Sequence, residues 1–234
     1  MKNLSRSVGL SLVFEFTIKI GLTTDIATMP SMAGQGLREL KKARTHRLIA
    51  DVAARLFAER GYEHVAVSDV AREAEVSDQT VYNYFQTKEQ LVTDRDQQVQ
   101  DQLVDLIRAR PPGVSAATAI RGFVLASVDA IPSISPDLWR GELGYLAVMS
   151  PTIHRLSLEM TDRQADAIAT AISDTTPVIK EVAKVQGVAI ASVFQIILSH
   201  AGQRTHEGRS QTEIADELHP IIEAVLDELE RWLV

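Results

Sequence analysis

Between Ser77 and Lys88 the chain concentrates hydrogen-bonding side chains. Asp78, Gln79, Thr80, Tyr82, Asn83 and Tyr84 surround only two strongly apolar residues, Val81 and Phe85. On a helix those two lie four apart on one face and can hold it against its neighbours. The opposite face then offers amides, hydroxyls and phenols. Such groups can hydrogen-bond base edges in a major groove and phosphates along its walls. A second short helix is expected at Ser68–Ala74, separated by the break Glu75-Val76-Ser77, and the Ser77 hydroxyl is placed to cap the helix that begins at Asp78. Two helices at this spacing can read DNA or can form the corner of a bundle, and geometry alone leaves both open. Two tyrosines on a solvent face favour a surface that contacts something.

The elements that must position this pair are helical. From Leu40 to Arg60 apolar residues recur as Leu40, Ala43, Leu48, Val52 and Leu56, with Ile49, Ala53 and Phe57 widening the stripe. Gly61 comes next, a natural stop. Thr87 is expected to cap a longer helix through Lys88, Leu91, Val99, Leu103, Leu106 and Ile107, closed by Pro111-Pro112-Gly113. Five more helices are expected: Ser115–Ile131, Pro136–Met149, Thr152–Ser173, Val178–Gln203 and about Thr212–Leu233, with a kink at Pro220. No segment reads as a strand. The fold class is all-α with about nine helices, divided into an arm (1–36), a helix-turn-helix domain (37–87) and a larger helical domain (88–234).

Five separated blocks carry a resemblance. Leu56-Phe57-Ala58-Glu59-Arg60-Gly61-Tyr62, Val70-Ala71, Val76-Ser77, Thr80-Val81-Tyr82-Asn83-Tyr84-Phe85 and Thr87-Lys88-Glu89-Gln90-Leu91-Val92 together resemble the TetR family of bacterial transcriptional regulators, over roughly residues 40–95. The resemblance implies a three-helix DNA-binding head with 78–84 as recognition helix. It also implies a C-terminal domain that forms a homodimer and binds a small molecule. By position it assigns phosphate or base contacts to Thr80, Tyr82 and Tyr84, and base reading to Gln79 and Asn83. Lys88 would reach phosphate, Arg44 and Arg47 would add sequence-independent attraction, and Ser68, Ser77 and Asp78 would flank the contact. Two positions depart from the family. Ala66 stands where a capping threonine is usual, which costs about 1 kcal/mol unless Ser68 substitutes. Glu75 stands where glycine is usual, and a left-handed backbone there costs roughly 1 kcal/mol.

The net charge of −7 hides a division. Residues 33–90 carry nine basic and nine acidic side chains, whereas 91–234 carry twelve and twenty. Arg38, Lys41, Lys42, Arg44 and Arg47 have only Glu39 as a nearby acid, so one basic face is set beside an acidic body. The chain has no cysteine, which excludes disulfides, iron–sulfur clusters and cysteine nucleophiles and fits a cytoplasmic protein. In the arm, Lys2 and Arg6 precede an apolar run, Val8–Phe14, that is too short to span a membrane and is interrupted by Glu15 and Lys19. The expectation for this segment is disorder or too early a start.

Catalysis finds no support. There is no Gly-x-Ser-x-Gly, His-Glu-x-x-His or P-loop, and Gly34-Gln35-Gly36 lacks both a third glycine and a preceding strand. His200 and His206 are six apart, a poor spacing for a shared metal, so neither metal nor cofactor is expected. Phe123, Trp139, Tyr145, Met149, His154 and Phe194, with Met160, are the candidate lining of an apolar effector pocket; ordinary core is the plainer reading for each. The two-faced stretch Val185–Leu198 and the stripe Ile214–Leu229 could form a seam between two subunits. A helical adaptor that binds protein and has lost its hold on DNA is the alternative that Ala66 and Glu75 leave room for.

Overall fold

A computed structural model of the 234-residue chain describes residues 33–232. The expectation for the arm therefore lies almost wholly outside the described residues. Ten α-helices succeed one another: α1 (Ala33–Arg60), α2 (Val67–Glu73), α3 (Asp78–Tyr84), α4 (Gln90–Ala109), α5 (Ala116–Asp129), α6 (Pro136–Trp139), α7 (Leu143–Met149), α8 (Pro151–Thr175), α9 (Lys180–His206) and α10 (Gln211–Trp232). Two 3₁₀ turns, Tyr62–His64 and Ile131–Ser133, join them, and there is no strand among the described residues. The all-α class is as expected, while two details differ.

First, α1 begins at Ala33, so residues 33–36 are helix rather than arm. Its buried stripe is Ile49, Val52, Ala53, Leu56 and Phe57, and both Leu40 and Leu48 are exposed. The first turns of α1 thus lie outside the head's core, and the stripe read from Leu40 starts too early. Second, the helix expected over 136–149 is broken at Arg140-Gly141-Glu142 into α6 and α7. The cause is a contact, not a breaker: a Cβ on Gly141 would sit 2.0 Å from the carbonyl oxygen of Ala54 in α1. Backbone meets backbone there, which only glycine permits. Helix α10 contains Pro220 on its exposed side.

Two hydrophobic clusters organise the molecule. The first joins α1, α2 and α3 through Ile49, Leu56, Phe57, Val70, Val81 and Phe85, and takes in Leu91 and Val92 of α4. It also includes Leu143, Leu146 and Ile153 of α7 and α8, so the head expected over 37–87 is completed by residues from far beyond it. The second gathers α4, α5, α8, α9 and α10 around Leu103, Ile107, Ile120, Ile168, Ile172, Ile190, Leu218 and Leu226. Helix α4 contributes its first turn to one cluster and its later turns to the other. Arg110 pins the α4 C-terminus by hydrogen bonds to the Val114 carbonyl and to the Thr175 and Thr176 hydroxyls at the end of α8.

Helix α9 is both long and apolar, with a mean hydropathy of 1.6 over an 18-residue window of which only 28% is buried. Length and composition alone would let it cross a membrane. It packs instead against α7, α8 and α10 as a helix of the body.

Candidate nucleic-acid interface

The recognition candidate, α3, is built as a short amphipathic plug. Val81 is fully buried and Phe85, its C-cap, is 1% exposed, so these two bind the helix to the head. Asp78, Gln79, Tyr82 and Asn83 are exposed, Tyr82 at 47% of its surface, and Thr80 and Tyr84 are half-buried. The polar row therefore faces outward over two apolar anchors. Ser77 caps the helix, its Oγ accepting from the Thr80 backbone N–H at 3.1 Å and lying 2.8 Å from the Thr80 hydroxyl. One turn apart, the Gln79 Nε2 donates to the Asn83 Oδ1 at 3.2 Å. Both amides keep further donors and acceptors that an adenine edge could meet.

The turn between α2 and α3 accepts Glu75 in the left-handed region, at φ 55°. The Val76 N–H bonds to the Ala71 carbonyl at 2.9 Å and the Glu75 N–H to the Arg72 carbonyl at 3.2 Å. This is a Schellman closure, the arrangement that favours glycine at its left-handed residue. At the other end of α2, Ala66 is the N-cap with no side-chain oxygen to offer. The Asp69 carboxylate supplies the return bond, accepting from the Ala66 N–H at 2.9 Å, so half of a capping box survives. Ser68 lies within the first turn of α2, exposed.

Among the basic candidates, Arg44 and Arg47 are exposed on α1. Lys88 is turned inward: its Nζ donates to the Tyr62 carbonyl at 2.6 Å and sits 3.9 Å from the Tyr62 ring centroid. Burial pushes its pKa down. The expected phosphate contact thus competes with a cation–ring seat already filled.

Sequence reasoning missed His46. Its ring stacks on Phe85 at 4.6 Å, meets Tyr84 edge-on at 6.0 Å, and places Nε2 3.2 Å from the Asp94 Oδ1 of α4. It ties the end of the recognition helix to both α1 and α4. No local signal marks it, because Phe85 and Asp94 are distant in sequence, the latter by 48 positions. Glu63 was missed for the same reason. Its carboxylate accepts from the Ser150 Oγ at 2.7 Å and from Thr152, bonds that hold it below the usual carboxylate range.

The six effector candidates do not come together as one lining. Phe123, Trp139 and Phe194 pack, half-buried, on the cluster of the body, where the Trp139 indole N–H is spent on the Thr205 Oγ1 at 2.7 Å. Tyr145 is half-buried on α7, whereas Met149 and His154 are exposed around the α7–α8 corner. Met160 packs with the first cluster. A small cleft of about 10 Å³ lies elsewhere, between α1, the start of α4 and Gly141-Glu142. At that size it holds no more than a water. Among the described residues no group of three or more His, Asp or Glu side chains is placed to hold a metal.

A capped short helix with a polar outer row, set after a second short helix across a left-handed turn and backed by a long first helix, defines a helix-turn-helix protein with an all-helical body. Residues 49–94 match the family described as bacterial regulatory proteins, tetR family. Over that stretch the chain is similar to the TetR family. Over 96 residues it is 29% identical to the HTH-type transcriptional regulator TcmR of Streptomyces glaucescens, a match covering 41% of this chain and 42% of that protein. The matched stretch thus spans less than half the length of this curated relative. Among solved structures, NalD, the secondary repressor of the MexAB-OprM multidrug efflux pump in Pseudomonas aeruginosa, aligns with a TM-score of 0.50 at 17% identity, over 83% of this chain and 98% of NalD. The TetR family repressor AlkX from Dietzia sp. strain DQ12-45-1b aligns with a TM-score of 0.44 at 22% identity, over 80% and 98%. The likeness to NalD extends the shared fold beyond the head into the body.

Proposed function

We propose that the chain is a cytoplasmic transcriptional repressor that binds a near-palindromic operator as a homodimer and is released by a small apolar or aromatic effector. The observation that carries this reading is the outward polar row of α3, fixed from behind by Val81 and Phe85. A surface of amides, a phenol and a carboxylate gains little from an apolar partner and much from a groove lined by donors and acceptors. Gln79 and Asn83 read bases; Thr80, Tyr82 and Tyr84, with Arg44 and Arg47, meet backbone and sugar, flanked by Ser68, Ser77 and Asp78. Lys88 reaches phosphate only by leaving its seat on Tyr62.

Dimerisation is supported by the apolar side of α9 left uncovered in the single chain. Ile179, Val182, Val185 and Val188 are all exposed, as are Ile221 and Trp232 of α10. Two copies joined there would set their recognition helices about one DNA turn apart, roughly 34 Å. An effector that prefers a state with a different separation would weaken DNA binding by the same coupling factor.

A mobility-shift titration on the gene's own upstream DNA tests the reading. Salt-sensitive retardation of a specific fragment is expected, with Asn83→Ala weakening it by about 1–3 kcal/mol and leaving the melting temperature unchanged. Absence of retardation on every genomic fragment would leave the adaptor reading in its place.

A further inference from the structure

Helix α7 and the turn that leads into it are clasped by backbone on two sides. Toward the head, Gly141, one residue ahead of its N-cap, rests on Ala54 of α1 so closely that a Cβ would lie 2.0 Å from the Ala54 oxygen and 2.5 Å from its carbonyl carbon. Toward the body, a Cβ on Gly202 of α9 would lie 2.0 Å from the Gly144 oxygen, and one on Gly144 would lie 2.7 Å from the Leu198 oxygen. The turn between α6 and α7 thus meets α1, and α7 meets α9, at backbone contact, with no flexible side chain between them at these points.

Side chains close the same path. Leu143 and Leu146 are buried in the head's cluster, and Leu198 of α9 packs on it. Just beyond α7, Ser150 donates to Glu63 next to the head's first turn while its Oγ caps α8 through the Ile153 N–H at 3.2 Å. On α6, Trp139 is tied to Thr205 of α9. Close-packed interiors have discrete arrangements and do not stretch continuously, so such a stack transmits displacement without absorbing it.

We infer that α7 is a fixed spacer between α9 and α1, with Gly141, Gly144 and Gly202 as positioning residues that set the separation of the two recognition helices. This rests on the proposal of a DNA-binding dimer joined along α9. In that dimer the head is held to the seam by the stack α9–α7–α1, and α4 is not its sole mechanical link. An effector that shifts α7 by the thickness of one methyl group would change the half-site separation the dimer can span.

Gly144→Ala and Gly202→Ala test the spacer, with Gly122→Ala as control, because Gly122 lies in α5 with nothing within 4 Å of an added Cβ. Operators with half-sites moved in single base-pair steps are titrated with each purified dimer. Gly144→Ala and Gly202→Ala are expected to lose affinity for the wild-type spacing, on the order of tenfold, and to prefer a different one. Gly122→Ala should keep the wild-type optimum. An unchanged optimum in both stack variants, with DNA binding intact, overturns the spacer and leaves the regulator reading standing.

Should the variants fail to fold, spin labels on cysteines introduced at the exposed positions Glu59 of α1 and Ser199 of α9 read the stack in the otherwise cysteine-free chain. One narrow intrasubunit distance distribution, the same with and without DNA, is expected. A broad or shifting distribution overturns the spacer whether or not DNA is bound.

Discussion

Helices α3 and α9 are both amphipathic in the sense that neighbours cover one side of each, yet their open sides are opposite in chemistry. The seven residues of α3 bury Val81 and show Asp78, Gln79, Tyr82 and Asn83 to the surroundings. The 27 residues of α9 bury Ala183, Gly187, Ile190 and Val193 and show Val182, Val185 and Val188. A polar open face can remain wet at little cost until a polar partner arrives, so α3 suits a contact that forms and breaks. An apolar open face is unfavourable in water at about 25 cal/mol per Å² and suits a permanent partner. A surface suited to a switchable contact and one suited to a lasting contact thus share a single chain.

The strongest way to break the contrast is to remove the anchor beneath the polar row. Phe85→Ala should destabilise the head by about 3–5 kcal/mol, because Phe85 is 1% exposed and also carries the His46 ring. Thermal unfolding monitored by circular dichroism reads the loss, and an unchanged melting curve would mean that α3 is not held from behind. Next in size is Val185→Glu on the open side of α9, where Val185 is 51% exposed. It should weaken self-association by about 2 kcal/mol or more while sparing the fold of the subunit. Sedimentation velocity shows whether two copies still associate, as the proposed dimer requires.

A smaller effect, of opposite sign, is expected at the turn. Glu75→Gly relieves a left-handed residue at φ 55° and should stabilise the chain by about 1 kcal/mol, even though glycine is the more flexible residue when unfolded. A lowered melting temperature would contradict the Schellman assignment. The smallest lies between α9 and α10. Hydrogen bonds from the Arg204 guanidinium, at 2.5 and 2.6 Å, hold the Glu217 carboxyl down to about 2 from its ordinary 4.5. A carboxyl depressed on folding contributes stability that is complete above its unfolded pKa and is lost as pH falls through the folded one. Glu217→Gln should therefore narrow the stability difference between neutral pH and a pH of about 2, as read by urea midpoints across that window.

The parts of the molecule that could be read from residue order are those whose partners are near in sequence. The anchors Val81 and Phe85 lie four apart, Ser77 caps Thr80 three residues on, and the family blocks all fall within about fifty residues. The left-handed Glu75 was legible only through the family resemblance, which places glycine at that position. What could not be read depends on distant partners. The break at Gly141 is imposed by Ala54, far back on α1, so Pro136–Met149 shows only continuous helical periodicity. Leu40 and Leu48 have the right spacing for a core stripe, but the head's core ends before it reaches them. For the effector candidates, residue type alone cannot distinguish a polar tip already bonded, as in Trp139, from one left open to solvent, as in His154.

That the head's oily centre borrows Leu143, Leu146 and Ile153 has a bearing on modularity. A fragment cut after residue 87 would carry its reading surface but would leave the cluster that holds Leu56 and Phe57 incomplete. A chimera that grafts this reader onto a foreign sensor must therefore bring the 141–153 segment with it, or replace those three side chains with equivalents from the new host.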